Sequence, residues 1–355
     1  MLNGNRSLVF IVPGRLETRT GGYEYDRLMV AGFRARGWSI DVRELDGGFP
    51  HPTSAALNDA AGVLATIPDR TTVLVDGLAL GAMPAEVERE AFRLRIVALI
   101  HLPLAAEIGV TPDTAARLEA GERRAIAAAS LVIVTGHGTR AALTGYGVPS
   151  NLIALVEPGT DRAPLSHGSR TGPPHLLCVA TFNPGKGHEI LFRALAALPD
   201  DNWRLTCAGS LDRHPSTVEW LRAQLRADGL ESRVALLGDL DAATLAACYD
   251  EADLFVLATL HETYGMAVAE ALAHGLPVVS TAIDAMSRLV GDDAGLLVPA
   301  GDAKALTAAL SQVLGDAHLR ARLAEGARRV RDRLPTWDDS VGQMVAAVEH
   351  VTTRD

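Results

Sequence analysis

Residues 254–280 read LFVLATLHETYGMAVAEALAHGLPVVS. Leu254 to Ala258 is a short, uninterrupted apolar run, the kind that becomes a strand buried on both faces. His261, Glu262 and Thr263 then make a polar loop, and an alanine-rich segment from about Gly265 to His274 has the composition of a helix. Gly275 suits the left-handed position that ends a helix, and Val278 to Ser280 starts another apolar run. A buried strand, a loop, a helix and a second buried strand are how a parallel α/β sheet is written.

The unit recurs along the chain. In the first half the strand candidates are Leu8 to Val12, Ser39 to Arg43, Thr72 to Val75, Ile96 to Ile100, Leu131 to Thr135 and Ile153 to Val156. In the second half they are Leu176 to Ala180, Trp203 to Ala208, Arg233 to Leu237, Leu254 to Ala258, Val278 to Ser280 and Gly295 to Val298. Between the two sets, Glu157 to Pro174 is rich in proline and glycine without periodicity, which is the composition of a linker. The expected architecture is therefore α/β, with two Rossmann-like, doubly wound domains at residues 1–163 and 164–335. Trp337, Val341, Met344, Val345 and Val348 recur at helical spacing beyond what the second sheet needs, so residues 336–355 are expected to complete the first domain. Open α/β sheets bind ligands at the carboxyl ends of their strands. Functional groups are accordingly expected in loops that follow strands, in a cleft between two facing domains.

Length and composition agree with this reading. At roughly 150 residues per domain, 355 residues make about two domains. Acidic residues number 43 against 33 basic ones, and the formal charge of −10 argues against a nucleic-acid or anionic-lipid partner. Cys178, Cys207 and Cys248 lack metal-site spacing and lie among apolar residues, so they read as reduced core residues. The opening MLNGNRSLVFIVPGRLE has a short apolar stretch closed by Pro13 and Gly14, which reads as a first strand and not a leader. No run approaches the ~18 apolar residues of a membrane span, and a cytoplasmic protein is expected.

Three loops carry chemistry. In the first, the helix opening at Gly265 offers the N–H groups of Gly265, Met266 and Ala267 and the positive end of its dipole to a phosphate. Glu262 before that helix and Glu270 within it are spaced to bracket one ligand at different depths; alternatively Glu262 favours the dipole and Glu270 is solvated. The second is CVATFNPGKGHEILFRAL, Cys178 to Leu195, where Lys186 stands beside a helix start as an anion holder or as a solvated turn lysine. The third is Thr20, Gly21, Gly22 and Tyr23, where paired glycines admit a bulky ligand or simply turn the chain. His101 ends the strand Ile96 to Ile100, either facing the cleft or serving as a structural histidine.

Together these stretches resemble the GT-B fold retaining glycosyltransferases of family 4. The E-x7-E signature of that family matches HETYGMAVAE, with Glu262 and Glu270 as its acids, and AHGLPVVST and DDAGLLVPAGD look like its continuation. PGKGHEIL resembles the donor diphosphate loop, TGGYEYDRLMVAGFRARGWSIDV the first glycine loop and helix, and PTWDDSV the entry to the C-terminal helix. One departure stands out: the family's Gly-Arg pair is Ala180 and Thr181 here, leaving Lys186, backbone N–H groups, or Arg15 or Arg19 to hold the diphosphate. The resemblance implies transfer from a UDP- or GDP-linked sugar to a hydroxyl of a saccharide, lipid-linked saccharide or small molecule, with retention and without a metal or other cofactor. It implies Glu262, His101 and Lys186 as catalytic residues. It places Gly21, Gly22, Thr181, Lys186, Glu262, Tyr264, Gly265, Met266, Ala267 and Glu270 at the donor.

Other readings are less well supported. Asp239-Leu240-Asp241 fits a metal-binding Asp-x-Asp, but Asp241 also fits a helix N-cap before AATLAACY. A dinucleotide oxidoreductase needs G-x-G-x-x-G between strand and helix, which neither half supplies. A GT-B nucleotide-sugar epimerase shares the architecture but not E-x7-E, and a non-catalytic sugar- or nucleotide-binding protein would account for Thr181 in place of arginine.

Overall fold

The computed structural model describes residues 6–107 and 109–352. The chain forms two compact units, one made of the residues up to Gly159 and from Trp337 onward, the other of Thr160 to Thr336. The break comes before the expected 163/164 boundary because residues 160–163 are tied to the second unit. The Thr160 N–H donates to the Pro335 carbonyl at 2.8 Å, and Arg331 Nη2 donates to the Ala163 carbonyl at 2.6 Å. The stretch read as a linker is likewise fastened to that unit: Ser166 Oγ lies 2.9 Å from the Asp250 carbonyl, which also accepts from the N–H groups of His167 and Gly168.

The first unit holds strands β1 (Ser7–Pro13), β2 (Ser39–Leu45), β3 (Thr72–Asp76), β4 (Arg95–Ile100), β5 (Leu131–Val134) and β6 (Ile153–Leu155). They form one parallel sheet in the order β2-β1-β3-β4-β5-β6. Side chains alternate across the pleat. Leu8, Phe10 and Val12 enter one buried layer, while Val9 and Ile11 enter the other. The first of these layers is closed by the helix Gly21–Ala35, whose N-cap Thr20 accepts from the Tyr23 N–H, and by the helix Trp337–Thr352. Val341, Met344 and Val348 are buried there, each on the order of 1.5–3 kcal/mol of apolar burial. The two helices meet at Gly32, where a Cβ would overlap the Val341 side chain.

The second unit holds β7 (His175–Val179), β8 (Arg204–Ala208), β9 (Val234–Leu237), β10 (Leu254–Leu257), β11 (Val278–Thr281) and β12 (Gly295–Val298). They too form a parallel sheet, in the order β12-β11-β10-β7-β8-β9. All four residues of β10 are buried, as a strand covered on both faces requires. Cys178 and Cys207 are buried register partners on β7 and β8, and Cys248 is half-buried.

Each sheet has one place where its strand order reverses: between β1 and β3 in the first unit, and between β7 and β10 in the second. Loops leaving neighbouring strands diverge at such a point and open a crevice beyond the carboxyl ends. The candidate residues of each unit lie on those loops or beside them.

Candidate active site

In the second unit the loops after β7 and β10 are bound to one another. Asn183 Oδ1 accepts from the Lys186 N–H at 3.1 Å, shaping the single 3-10 turn Pro184–Lys186. Gly187 follows at φ +66°, and a Cβ there would overlap the Ala258 carbonyl, so only glycine permits this approach. The Leu260 N–H donates to the Gly185 carbonyl at 2.8 Å, and Thr281 Oγ1 donates to the Thr259 carbonyl at 2.7 Å. This stitching brings Lys186 Nζ to 2.6 Å from Glu262 Oε2, with the lysine side chain 25% and the glutamate 16% exposed. The pair is half-buried, and its ammonium group has three N–H donors, of which one serves Glu262.

The helix after β10 runs Met266–Ala273, and its N-cap is Gly265 at φ +100° with no side chain capping it. The Val268 and Ala269 N–H groups donate to the Gly265 carbonyl at 2.9 and 3.0 Å, which leaves the Met266 and Ala267 N–H groups ahead of them with no intrahelical carbonyl to bond. Met266 and Ala267 are half-buried, and Tyr264 is buried beside them. Glu270, further along the helix, is also half-buried and accepts from the Tyr249 hydroxyl at 2.8 Å. Tyr249 is itself stacked on His274 with ring centroids 4.8 Å apart. Burial, and then the charge of Glu270, hold the Tyr249 phenol well above its ordinary pKa, so it remains a neutral donor. Thr181 is half-buried, and its carbonyl accepts from the Asn183 N–H at 2.8 Å. A cavity of about 390 Å³ beside the Lys186 turn is lined by Asn183, Pro184, Ser216, Trp220 and Leu260, among others, but by neither Lys186 nor Glu262. Asp241 caps the helix Ala242–Glu251, accepting from the Thr244 N–H at 2.8 Å.

In the first unit, Gly21 and Gly22 open the helix Gly21–Ala35, and a Cβ on Gly22 would lie 3.5 Å from His101 Cδ2. His101 follows β4, and its Nε2 lies 3.2 Å from Asp26 Oδ1 and 3.6 Å from Asp76 Oδ2. The ring is 21% exposed, whereas the two acids are 1% and 5% exposed. Tyr25 meets the imidazole edge-on at 5.2 Å. Burial works to lower the His101 pKa, but the charge and hydrogen bond of Asp26 and the charge of Asp76 outweigh it, and the net direction is upward. Burial, then the charge of Asp26, pushes Asp76 up to about 7 against the opposing effects of His101 and the Leu78 N–H.

The expected residues thus fall into two groups: Thr181, Lys186, Glu262, Tyr264, Gly265, Met266, Ala267 and Glu270 in the second unit, and Gly21, Gly22 and His101 in the first. Glu262 and Glu270 have separate partners. Three further residues escaped the sequence reading: Tyr249, Asp26 and Asp76. The signal for Asp26 was available, since it occupies the apolar stripe of its helix with Met29, Val30 and Phe33.

Comparison with known proteins agrees with the fold. Among solved structures, sucrose-phosphate synthase from Thermosynechococcus elongatus aligns with a TM-score of 0.81 at 21% identity, covering 98% of this chain and 99% of that one. Anabaena HepE in complex with UDP and glucose aligns with a TM-score of 0.77 at 18% identity, covering 97% of this chain and 100% of that one. The fold is therefore that of the GT-B glycosyltransferases. Residues 173–316 match the family model of group 1 glycosyl transferases, and the second unit carries that domain. A D-inositol 3-phosphate glycosyltransferase from Xylanimonas cellulosilytica is 30% identical over 263 residues, which are 69% of this chain and 63% of the relative. A phosphatidyl-myo-inositol mannosyltransferase from Mycobacterium leprae is 36% identical over 175 residues, 48% of this chain and 44% of the relative. The chain thus spans less than two thirds of the length of these two relatives. No helix among the described residues is long and apolar enough to cross a membrane.

Proposed function

We propose that this chain is a retaining glycosyltransferase of family 4, which moves a sugar from a nucleoside-diphosphate sugar to an acceptor hydroxyl without a metal ion. The observation that carries the reading is the Lys186–Glu262 pair at 2.6 Å, next to the uncapped N-terminus at Gly265, within a group 1 domain. Charge develops on the diphosphate as the bond to the sugar breaks. Lys186 and the N–H groups of Gly265, Met266 and Ala267 stabilise that charge as fixed donors. Glu262 holds the lysine in place and takes the sugar hydroxyls, and Glu270, set by Tyr249, takes the ribose hydroxyls. His101 of the first unit acts on the transferred sugar. A donor phosphate oxygen accepts the proton of the attacking hydroxyl, which adds on the face that the leaving group vacates.

Thermal shift with UDP-, GDP- and ADP-sugars is the direct test, because a ligand at 100 times its Kd adds roughly 2.7 kcal/mol of stability. UDP-glucose is tried first, since a protein of the same fold has been solved with UDP and glucose. Inositol phosphates lead the acceptor screen because of the names of two relatives. Binding followed by slow donor hydrolysis and faster transfer is the expected result. Failure of every nucleotide sugar to stabilise the protein overturns the reading, and binding with neither hydrolysis nor transfer favours a non-catalytic binding protein. EDTA should leave activity unchanged; activity lost on chelation and restored by Mn²⁺ would move the chemistry to Asp239 and Asp241.

A further inference from the structure

The first unit buries two carboxylates beside one imidazole. Asp26 comes from the helix Gly21–Ala35 and Asp76 from the end of β3, and one oxygen of each, with a ring nitrogen of His101, lies within a 4.8 Å cluster. Two ionised carboxylates at this depth would each cost several kcal/mol of desolvation and would repel one another as well. Compensation is scarce. Asp76 accepts from the Leu78 N–H at 2.8 Å, and among the described residues no lysine or arginine pairs with either acid. Around the ring the neighbouring elements supply Tyr25 and Asp26 from the helix Gly21–Ala35 and Asp76 from β3. Thr139, from the helix His137–Gly145, donates to the His101 carbonyl. Among the described residues of this cluster, His101 is the one able to carry positive charge.

We propose that Asp26 and Asp76 are positioning residues that keep His101 as an imidazolium anchored through Nε2, so that its Nδ1–H works as a charged hydrogen-bond donor and not as a base. Electroneutrality of the cluster requires two protons, one on the ring and one on a carboxyl, with the second carboxylate ionised. The upward directions of both His101 and Asp76 agree with that count. Because Nε2 is committed to Asp26, Nδ1 is the ring nitrogen left for a ligand. The ligand it suits is a hydroxyl or anionic oxygen. Assigning that ligand to the donor sugar rests on the transferase reading, whereas the protonation state does not.

The test begins on the unmodified full chain. With ¹⁵N-labelled histidine, the His101 signal is identified among the 11 histidines by its loss in His101→Gln and is then titrated by NMR. The expected midpoint lies above the ordinary 6.5, and Asp26→Asn and Asp76→Asn each lower it. A wild-type midpoint at or below 6.5 overturns the proposal even if a variant fails to fold, and so does a midpoint that neither substitution moves. Loss of the titration on adding Zn²⁺, restored by EDTA, would also overturn it, by making the cluster a metal site. In turnover, Asp26→Asn should shift the alkaline limb of the kcat profile to lower pH with little change in donor KM, and Asp26→Glu should partly restore it. An elevated midpoint in a protein without transferase activity leaves this proposal standing while the transferase reading fails. An ordinary midpoint in an active enzyme does the reverse.

Discussion

The two units place their candidate groups at the same topological position and solve different electrostatic problems there. Beyond β7 and β10, one lysine faces one glutamate, half-exposed, on loops joined by backbone hydrogen bonds. At the matching reversal between β1 and β3, two buried acids, one on a helix face and one at a strand end, lie beside a half-buried histidine. A half-exposed opposite pair keeps donors to share with a ligand, whereas a buried set with excess acid must first settle its own protons. The fold supplies the crevice twice, and the depth of the side chains decides what chemistry each crevice can host.

The contrast breaks most easily at Lys186. Lys186→Ala and Glu262→Ala should each lower kcat about 10²- to 10³-fold, the scale of losing one charge-stabilising donor. Because the two side chains touch, the double variant should lose far less than the product of the single losses, and simple additivity in a double-mutant cycle would separate their roles.

Next in size is the response of stability to pH, which should have opposite sign in the two units. In the first unit Asp76 is pushed up to about 7, and burial pushes Glu122 up to about 7 as well. These carboxyls stay protonated in the fold while the unfolded chain ionises, so stability is full below the ordinary carboxylate range and falls as pH rises from about 4 to about 7. His101, also raised, extends the fall above 6.5. In the second unit burial lowers His175 and His274, which makes the folded state resist protonation and gain stability as pH rises towards 6.5. Hydrogen exchange at pH 5 and 7.5, corrected for intrinsic rates, should show protection falling in first-unit peptides, by about 2–3 kcal/mol for each of the two raised carboxyls, but not in second-unit ones. Equal losses in both would erase the difference, and Glu122→Gln should reduce the first-unit slope.

Smaller effects sharpen the division of labour within the second unit. Glu270→Ala should weaken nucleoside diphosphate binding about tenfold by calorimetry, roughly 1.4 kcal/mol, with kcat nearly unchanged. A loss confined to kcat would exchange its role with that of Glu262. Tyr249→Phe removes a single hydrogen bond to Glu270 and should cost about 0.5–1.5 kcal/mol of the same affinity.

All twelve strands were legible as short segments rich in apolar and β-branched residues, β2 (SIDVREL) by alternation and not as a continuous run, and where their ends differ it is by a residue or two. Trp203 is an example: it was read as strand, yet it lies just before β8, with its indole N–H donating to the Asp200 carbonyl at 3.0 Å. The segment at Ser166 to Gly168 was illegible as part of the second unit, since its partner is the carbonyl of a residue far along the chain and backbone partners leave no trace in composition. Lys186 and Glu262 could be singled out from their loops, but their pairing could not, because no local spacing links positions 76 residues apart. Asp26 and Asp76 were harder still. An acid in an apolar stripe and an acid ending a strand acquire meaning only once the sheet puts both beside His101.

The helix Trp337–Thr352 gives the molecule a timetable. Residues 160–336 are contiguous, so the second unit has its whole chain as soon as Thr336 is made. The first unit does not, since Val341, Met344, Val348 and Val351 belong to the same buried cluster as Tyr25, Met29 and Phe33, and Val341 fills the space left by Gly32. At about 5–20 residues per second, the ribosome needs on the order of ten seconds or more to make the intervening unit. Throughout that interval the apolar face of the Gly21–Ala35 helix waits for its cover, so the half of the protein synthesised first is the half completed last.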